Sequence, residues 1–346
     1  MSLEGDVSGL DKRLVNRSTL ALASLGAVVL LMVLDVSSGA AVLSWREILA
    51  GLTRATSSPP MGHFIVWELR LPQALMALCA GAALGLAGAE MQTVLDNPLA
   101  SPFTLGVSSA AAMGAAIALV WGWHVPTLPL RYGVAINAFV MAMLCSMVLD
   151  LAARHMRMAT HGIVLLGIAL VFGFNAIVSL MQLLSDAAAL QDLLHWMMGS
   201  ISSSRWGEVL FLASVFAFTL AWSMTQAWPL TALRFGEERA ASFGLDPRRV
   251  RRWSLMRVSL LAGTVVALVG VIGFVGLIAP HIARRLWGED HRWYLPGSAL
   301  VGALIMVGAS VLAKQLSSLV EIPVGIVTTL VGIPFFIVVL TRRSRH

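Results

Sequence analysis

The sequence predicts an all-α polytopic membrane protein with about ten transmembrane helices. Three observations carry that reading. Of 346 residues, 58% are hydrophobic and 12% are charged, against roughly 25% charged in an ordinary soluble domain; mean hydropathy is +0.83. The apolar residues fall in runs separated by short polar breaks, and many of the runs approach the 20 or so residues needed to cross a bilayer. The 24 basic residues are almost all arginine, Lys12 and Lys314 being the lysines, and they gather in short loops beside the apolar runs. That is the distribution the positive-inside rule produces. Together these features exclude a soluble globular enzyme and a disordered chain. They also assign the basic balance to membrane orientation, with no nucleic-acid partner.

Residues 1–17 are polar and carry Lys12, Arg13 and Arg17, a cytoplasmic N-terminal tail. The run Leu20–Leu34 has the length of a signal-peptide core, with Ser38-Gly39-Ala40 resembling a cleavage site; the many later spans favour an uncleaved first helix. Residues 35–69 are mixed and read as an external loop with a short interfacial helix. A second span covers about 71–94 and ends at the break Asp96-Asn97-Pro98. The third and fourth cover about 103–122 and 132–152. Arg154, His155 and Arg157 mark a cytoplasmic loop before the fifth, about 162–184. Residues 187–199 form an amphipathic piece too short to cross, and the sixth span is about 207–228.

Residues 231–257 are the longest charged stretch and the one segment polar enough to build a cytoplasmic structure. The apolar run 258–283 is flanked by Arg251, Arg252 and Arg257 on one side and by Arg284 and Arg285 on the other. Gly270, Gly273 and Gly276 lie in its middle. If both flanks are cytoplasmic, the segment around 258–286 folds back as a broken hairpin of two short legs. Irregular backbone at membrane depth is tolerated only inside protein or along a wet cavity. The ninth and tenth spans are about 296–316 and 324–341, and residues 342–346 form a second arginine-rich cytoplasmic tail. Arginine at both ends predicts both termini inside and an even number of spans. The loop at 95–102, which this scheme also places inside, carries no arginine.

Gly81, Gly85 and Gly88 share one face of the second span, and Ala110 and Gly114 one face of the third, as close helix packing in lipid requires. Cys79 and Cys145 lie within apolar runs and read as packing residues. No HExxH, CxxC or GxSxG occurs, and neither lysine follows glycine, so the chain has no P-loop. No metal-ligand or catalytic constellation is evident. His63, His124 and His195 are the outward-side histidines, each read as structural or solvated.

Several segments, in order along residues 64–340, resemble the permease subunits of binding-protein-dependent type II ABC importers for vitamin B12, iron-siderophores and heme, the FecCD-like family. They are Arg70-Leu71-Pro72 leading into Gly81-Ala82-Ala83-Leu84; Met91-Gln92 through Asn97-Pro98-Leu99-Ala100; and Trp196-Met197-Met198-Gly199-Ser200. Then follow Gly236-Glu237 with Ala240-Ala241 and Gly244-Leu245; Gly273-Phe274-Val275-Gly276-Leu277 with Pro280-His281; and Glu321-Ile322-Pro323-Val324-Gly325. The resemblance implies one transmembrane permease domain over 1–346 and a second permease copy, with a homodimer expected. It further implies two cytoplasmic P-loop ATPases, a periplasmic substrate-binding protein, and a bacterial inner-membrane location with surrounding lipid. This chain would be no enzyme and would bind no cofactor; ATP and Mg would sit on the partner ATPase.

Residue by residue, the resemblance maps a coupling helix onto the cytoplasmic segment 231–250, with Gly236, Glu237, Glu238, Arg239, Ala240, Ala241, Phe243, Gly244 and Leu245 meeting the ATPase. Gly244 can supply the left-handed turn that ends such a helix. Glu238-Arg239 departs from the aliphatic or serine residues common there. Asn97 and Leu99 resemble a cytoplasmic gate, with Thr160 and His161 opposite; His161 is either a titratable gate residue or a solvated loop histidine. Arg70 and Lys314, at the outer ends of their spans, correspond to basic residues that meet glutamates of the binding protein, or else they snorkel; Gln73 stands where a second arginine is common. Asn175, Met181 and Gln182, with Met197 and Met198, are the candidate pathway lining, or else helix glue and packing. Glu90 is an intramembrane acid, functional, neutral, or paired with an inner arginine such as Arg154. The expected activity is ATP-driven import of heme, a ferric siderophore or a corrinoid by alternating access. The rivals are an ion-gradient-driven secondary transporter and one half of a heterodimeric importer.

Overall fold

The computed structural model describes residues 3–39, 41, 43–53, 60–155, 160–317 and 321–343, with side chains at 17–39, 41, 43–51, 61–152, 162–317 and 321–337. Among these residues every regular element is helical. α1 (Leu3–Ser37) precedes two short helices, α2 (Trp45–Thr53) and α3 (Pro60–Phe64), and a π-helical turn at Ile65–Arg70 leads without a break into α4 (Leu71–Val94). The single interfacial helix expected over 35–69 is therefore two helices plus the lead-in to α4. Next come α5 (Val107–Trp121), α6 (Leu130–His155), α7 (Thr160–Leu184), the short α8 (Ala187–Met197) and α9 (Trp206–Thr225). They are followed by α10 (Ala227–Leu233), α11 (Glu237–Ser242), α12 (Pro247–Val269), α13 (Val275–Trp287), α14 (His291–Leu316) and α15 (Val324–Arg343). Seven helical segments among the described residues have the length and apolar composition to cross a bilayer: α1, α3–α4, α6, α7, α9, α12 and α14. α5, of 15 residues, is a shorter apolar helix, and α15 is apolar over 324–337, the part whose side chains are described.

The broken run lies where its glycines predict, but its first leg is not short. α12 starts at Pro247, capped by the Asp246 carboxylate accepting from the Arg248 and Arg249 amides at 3.0 and 3.3 Å, and continues for 23 residues. The arginines Arg251, Arg252 and Arg257 belong to its first turns rather than to a loop before it. The chain then turns at Gly270 (φ 74°) and at Phe274 (φ 65°), a left-handed phenylalanine, before α13 returns for 13 residues. Phe274 packs into a notch on α15 that only Gly332 leaves open: a Cβ there would lie 2.6 Å from Phe274 Cβ.

α4 is the central span, and α14, α13, α12 and α9 surround it. The glycine face serves the contact read from its spacing. A Cβ on Gly81 would lie 2.3 Å from the Gly302 carbonyl oxygen, and one on Gly85 2.2 Å from that of Ser298, both on α14; one on Gly88 would lie 1.8 Å from the Gly276 carbonyl oxygen on α13. Gly114 does the same for α5 against Asn137 of α6, at 2.3 Å. In lipid, dispersion contacts of this kind replace the hydrophobic effect as the adhesive between helices. Cys145 is buried and Cys79 half-buried, both free thiols within spans.

A second node joins two turns and a helix start. Gly199, Gly270 and Gly325 each sit where a Cβ would meet a backbone oxygen at 2.2–2.3 Å, on Val271, Trp196 and Met198 respectively. Ser200 N donates to Val269 O (2.8 Å) and Gly325 N to Gly199 O (3.1 Å). The turn after α8, the break between α12 and α13, and the start of α15 are thus tied backbone to backbone.

Candidate functional site: the coupling segment, the gate turn and the opposite mouth

The arginine-rich end of the bundle carries α10 and α11. Gly236 (φ 100°) breaks the chain between them and Gly244 (φ 80°) ends α11. The ending is a Schellman turn: Gly244 N donates to Ala241 O at 2.9 Å and Leu245 N to Ala240 O at 3.2 Å. Glu237, Glu238, Arg239, Ala241, Phe243 and Gly244 are exposed and Leu245 is half-buried. Ala240 is fully buried; it anchors α11 to the bundle and, contrary to expectation, offers no outward contact. Phe243 is 57% exposed and Phe235, which the sequence did not single out, is 59% exposed. Two phenyl rings thus bracket a short charged helix.

This segment is braced from below. The Glu237 carboxylate pairs with the Arg251 guanidinium of α12, and Arg251 Nε also donates to the Val94 carbonyl at 3.2 Å, on the last residue of α4. Arg234 pairs with Glu289 in the turn between α13 and α14.

α4 runs into the turn expected to form the gate. Asp96 adopts φ 41°; the Asn97 amide donates to Gln92 O at 3.1 Å, and Asn97 Oδ1 accepts from the Leu99 amide at 2.9 Å. The asparagine side chain thereby shapes the turn and turns Leu99 outward, 43% exposed. The expected partners Thr160 and His161 begin α7, and their side chains lie outside the described residues.

Glu90 sits one turn before the end of α4. It is 1% exposed, and its partner is the fully buried Arg257 of α12, not Arg154, whose side chain also lies outside the described residues. Arg257 Nε donates to both carboxylate oxygens at 2.9 and 3.0 Å and Nη2 donates to Oε2 at 2.6 Å. Ser223 of α9 donates a further bond to Glu90, and Trp222 stacks on the guanidinium, 5.3 Å from its ring centroid. The acid is satisfied by the guanidinium and the serine hydroxyl, and it ties α4, α9 and α12 together.

At the opposite end, a cavity of about 550 Å³ is lined by Arg70, Gln73, Ser202, Lys314, Ser317 and Glu321, among others. Arg70 and Lys314 do meet there, but neither is a rim residue. Arg70 is 4% exposed and donates to the carbonyls of Val36 (2.9 Å), Ser37 (3.2 Å) and Ala41, closing the end of α1. Lys314 holds the fully buried Asp35 at 2.7 Å. Arg70, expected to meet the binding protein or else to snorkel, is buried with its donors on the chain's own carbonyls.

Of the lining candidates, Asn175 lies exposed on α7 beside exposed Phe172, Ile177 and Leu180. Met198 is 43% exposed, Met197 half-buried, and the Gln182 amide donates to the Met197 sulfur at 3.6 Å. Met181 is 1% exposed, packed with Ala112, Ala116, Val178 and Leu193; it lines no open surface here. The three outward histidines are not brought together: His63 bonds Gly51 O at 2.8 Å and His124 bonds Val125 O at 3.1 Å, while His195 lines a separate cavity of about 410 Å³. No group of three or more His, Cys, Asp or Glu converges among the described residues.

Comparison with known proteins agrees with this geometry. The vitamin B12 import permease BtuC of Vibrio cholerae is 39% identical over 278 residues, 80% of this chain and 83% of that protein. The hemin transport permease HmuU of Yersinia pestis is 34% identical over 323 residues, 92% of this chain and 95% of that protein. A solved structure described as an inward-facing metal-chelate type ABC transporter superposes with a TM-score of 0.82 at 30% identity, over 94% of this chain and 99% of that one. Residues 27–342 match the FecCD transport family as a whole. The chain belongs to that family and is a permease of the ABC-importer class.

Proposed function

We propose that this permease forms the translocation pathway of an ATP-driven importer carrying a metal chelate, a heme, ferric siderophore or corrinoid, from periplasm to cytoplasm. The observation that carries the reading is α11. It is a short, exposed, charged helix with two outward phenyl rings, built on a chain that has no nucleotide-binding loop of its own. Such a surface fits a groove on a separate P-loop ATPase, where ATP and Mg would sit. The relatives named for vitamin B12 and hemin, and the metal-chelate neighbour, support this substrate class.

On this reading the arginine-rich end is cytoplasmic, both termini are inside, and α5, α13 and α15 join the seven long spans to make ten. The cavity holding Arg70 and Lys314 opens toward a periplasmic binding protein. Glu321 and Gln73 share that cavity, so the contact there would be made by the cavity edge rather than by Arg70 alone. The exposed apolar face of α7, with Asn175 in its middle, faces a second copy and the central pathway; an amide at that depth needs water or a partner. Gating would fall to the turn at Asn97 and Leu99. The family and the apolar helices support an inner-membrane location.

A gradient-driven transporter would need a free intramembrane acid. Glu90, the candidate, is held on both oxygens by Arg257, which favours the ATP-driven reading. Reconstitution of the co-purified permease–ATPase complex into vesicles loaded with ATP, with its binding protein outside, tests the proposal. Uptake of hemin or vitamin B12 that requires both ATP and binding protein is expected. Uptake driven by an ion gradient without ATP would overturn it.

A further inference from the structure

The last two residues of α4 are each joined to the coupling segment through one intermediary side chain. Val94 O accepts from Arg251, whose guanidinium also holds Glu237 at the start of α11. Thr93 Oγ1 bonds His291 Nε2 at 2.8 Å, and His291 Nδ1 bonds Thr231 Oγ1 of α10 at 3.1 Å. His291 is fully buried, and its own backbone amide also donates to Thr231 Oγ1 at 3.1 Å. A neutral imidazole donates through one nitrogen and accepts through the other, so one of the two hydroxyls, each also within bonding distance of its own helix carbonyl (Ala89 O at 2.9 Å for Thr93, Ala227 O at 2.8 Å for Thr231), gives its proton to the ring instead. Gate residues 97–99 follow within six residues of these anchors.

The two bridges approach from different elements, α12 and α14, and end on adjacent residues of one helical turn. Arg251, Ser254 and Arg257 also lie at i, i+3 and i+6 on α12, one face of the helix. The outer two grip α4 at Val94 and at Glu90, and Ser254 accepts from Arg257 Nη2 at 2.9 Å. α4 is therefore pinned to α12 at two levels, and a displacement of α10–α11 has two side-chain routes into its final turn. Coupling between sites needs a contiguous physical connection with a discrete arrangement to bias; this one is short and specific.

We infer that Arg251 and the Thr231–His291–Thr93 bridge are the positioning groups that transmit movement of the coupling helix to the gate turn at the end of α4. The inference rests on reading α11 as the ATPase contact. Neither bridge lines the cavities of about 550 and 410 Å³, and the chain has no nucleotide-binding loop, so their loss should separate ATP hydrolysis from transport rather than abolish both.

The test is the number of ATP molecules hydrolysed per molecule taken up by the reconstituted complex, with hemin and vitamin B12 as separate probes. Arg251→Met keeps the aliphatic stem and removes the donors; Thr231→Val keeps the shape and removes the hydroxyl. Arg251→Met is expected to raise the ratio at least fivefold, and the Arg251→Met/Thr231→Val pair to raise it further. Arg251→Lys, which keeps the pair with Glu237, should recover part of the loss. An unchanged ratio in the double variant overturns the inference. So does a parallel fall of hydrolysis and uptake, or failure of the variant complex to assemble on size-exclusion chromatography, since each marks a merely structural role. If the unmodified complex shows no ATP-driven uptake of either probe, the importer reading itself fails, a result distinct from a working complex whose variants stay coupled.

Discussion

Glu90 shows what a single residue reveals in sequence and what it conceals. A carboxylate one turn inside an apolar run stands out at once, because such groups are rare at that depth and have a partner when they occur. The partner itself was not legible. It lies 167 positions away on α12, whereas Arg154 is the nearer inner arginine. Helix spacing ranks neighbours on one helix and says nothing of which helices touch. Breaking a buried pair leaves an uncompensated charge and costs about 3–5 kcal/mol, while replacing both partners by apolar groups of similar size can be near neutral. Glu90→Ala should therefore lower the thermal stability of the lipid-embedded permease markedly, and Glu90→Leu/Arg257→Met should recover most of it. Equal loss in the single and double variants would show that the pair is not the source of the effect. Arg70 is the converse case. Its position at a span end was legible, but its burial was not, because the carbonyls it closes over belong to α1 and the turn after it.

Among the elements, most spans were legible to within a few residues, since an apolar run of bilayer length admits few alternatives. The break in 258–283 was signalled by three glycines between arginine clusters. The length of α12 was missed because its arginines look like loop residues; they are helical because they point to α4, to α11 and to the polar end of the bundle. The glycine face of α4 was read as generic packing, and the structure assigns it two partners, α14 and α13. Gly88 is the tightest of these positions, 1.8 Å from a backbone oxygen once a Cβ is added. A carbonyl cannot rotate aside as a side chain can, so α13 must move. Gly88→Ala is expected to cost about 1–3 kcal/mol, the range for overpacking, and to lower the temperature at which the purified permease loses its helical circular dichroism. Gly207, with nothing within 4 Å, is the control position: Gly207→Ala should leave that temperature unchanged. A Gly88→Ala protein as stable as the original would show that α4 and α13 are not held this closely.

For the whole molecule, the fold and family could be read from ordered motifs spread over most of the chain, while the surface proposed to meet the ATPase was only half legible. The sequence pointed to the Gly236–Leu245 segment but divided its faces wrongly: Ala240 turns inward, and Phe235, just outside the motif, turns outward. Six residues of helix leave the inner and outer sides undetermined until the flanking glycine turns fix the entry angle. With Phe243 57% exposed, Phe243→Asp is predicted to weaken association with the ATPase at least tenfold, about 1.4 kcal/mol. Titration binding of the purified ATPase to the permease in nanodiscs would read this directly. Unchanged affinity would move the ATPase contact away from this ring.

α13 has a consequence for how the protein is made. Its 13 residues span only about 20 Å at 1.5 Å per residue, short of the roughly 30 Å hydrocarbon core, and it ends in Arg284 and Arg285. Alone in lipid it would leave backbone polar groups and charge unsatisfied. Its companions on either side are α4, made early, and α14, made after it. During synthesis α13 would lack one of its two main helical walls until α14 has emerged from the ribosome, so α13 and α14 are expected to enter the bilayer together against an α4 already in place.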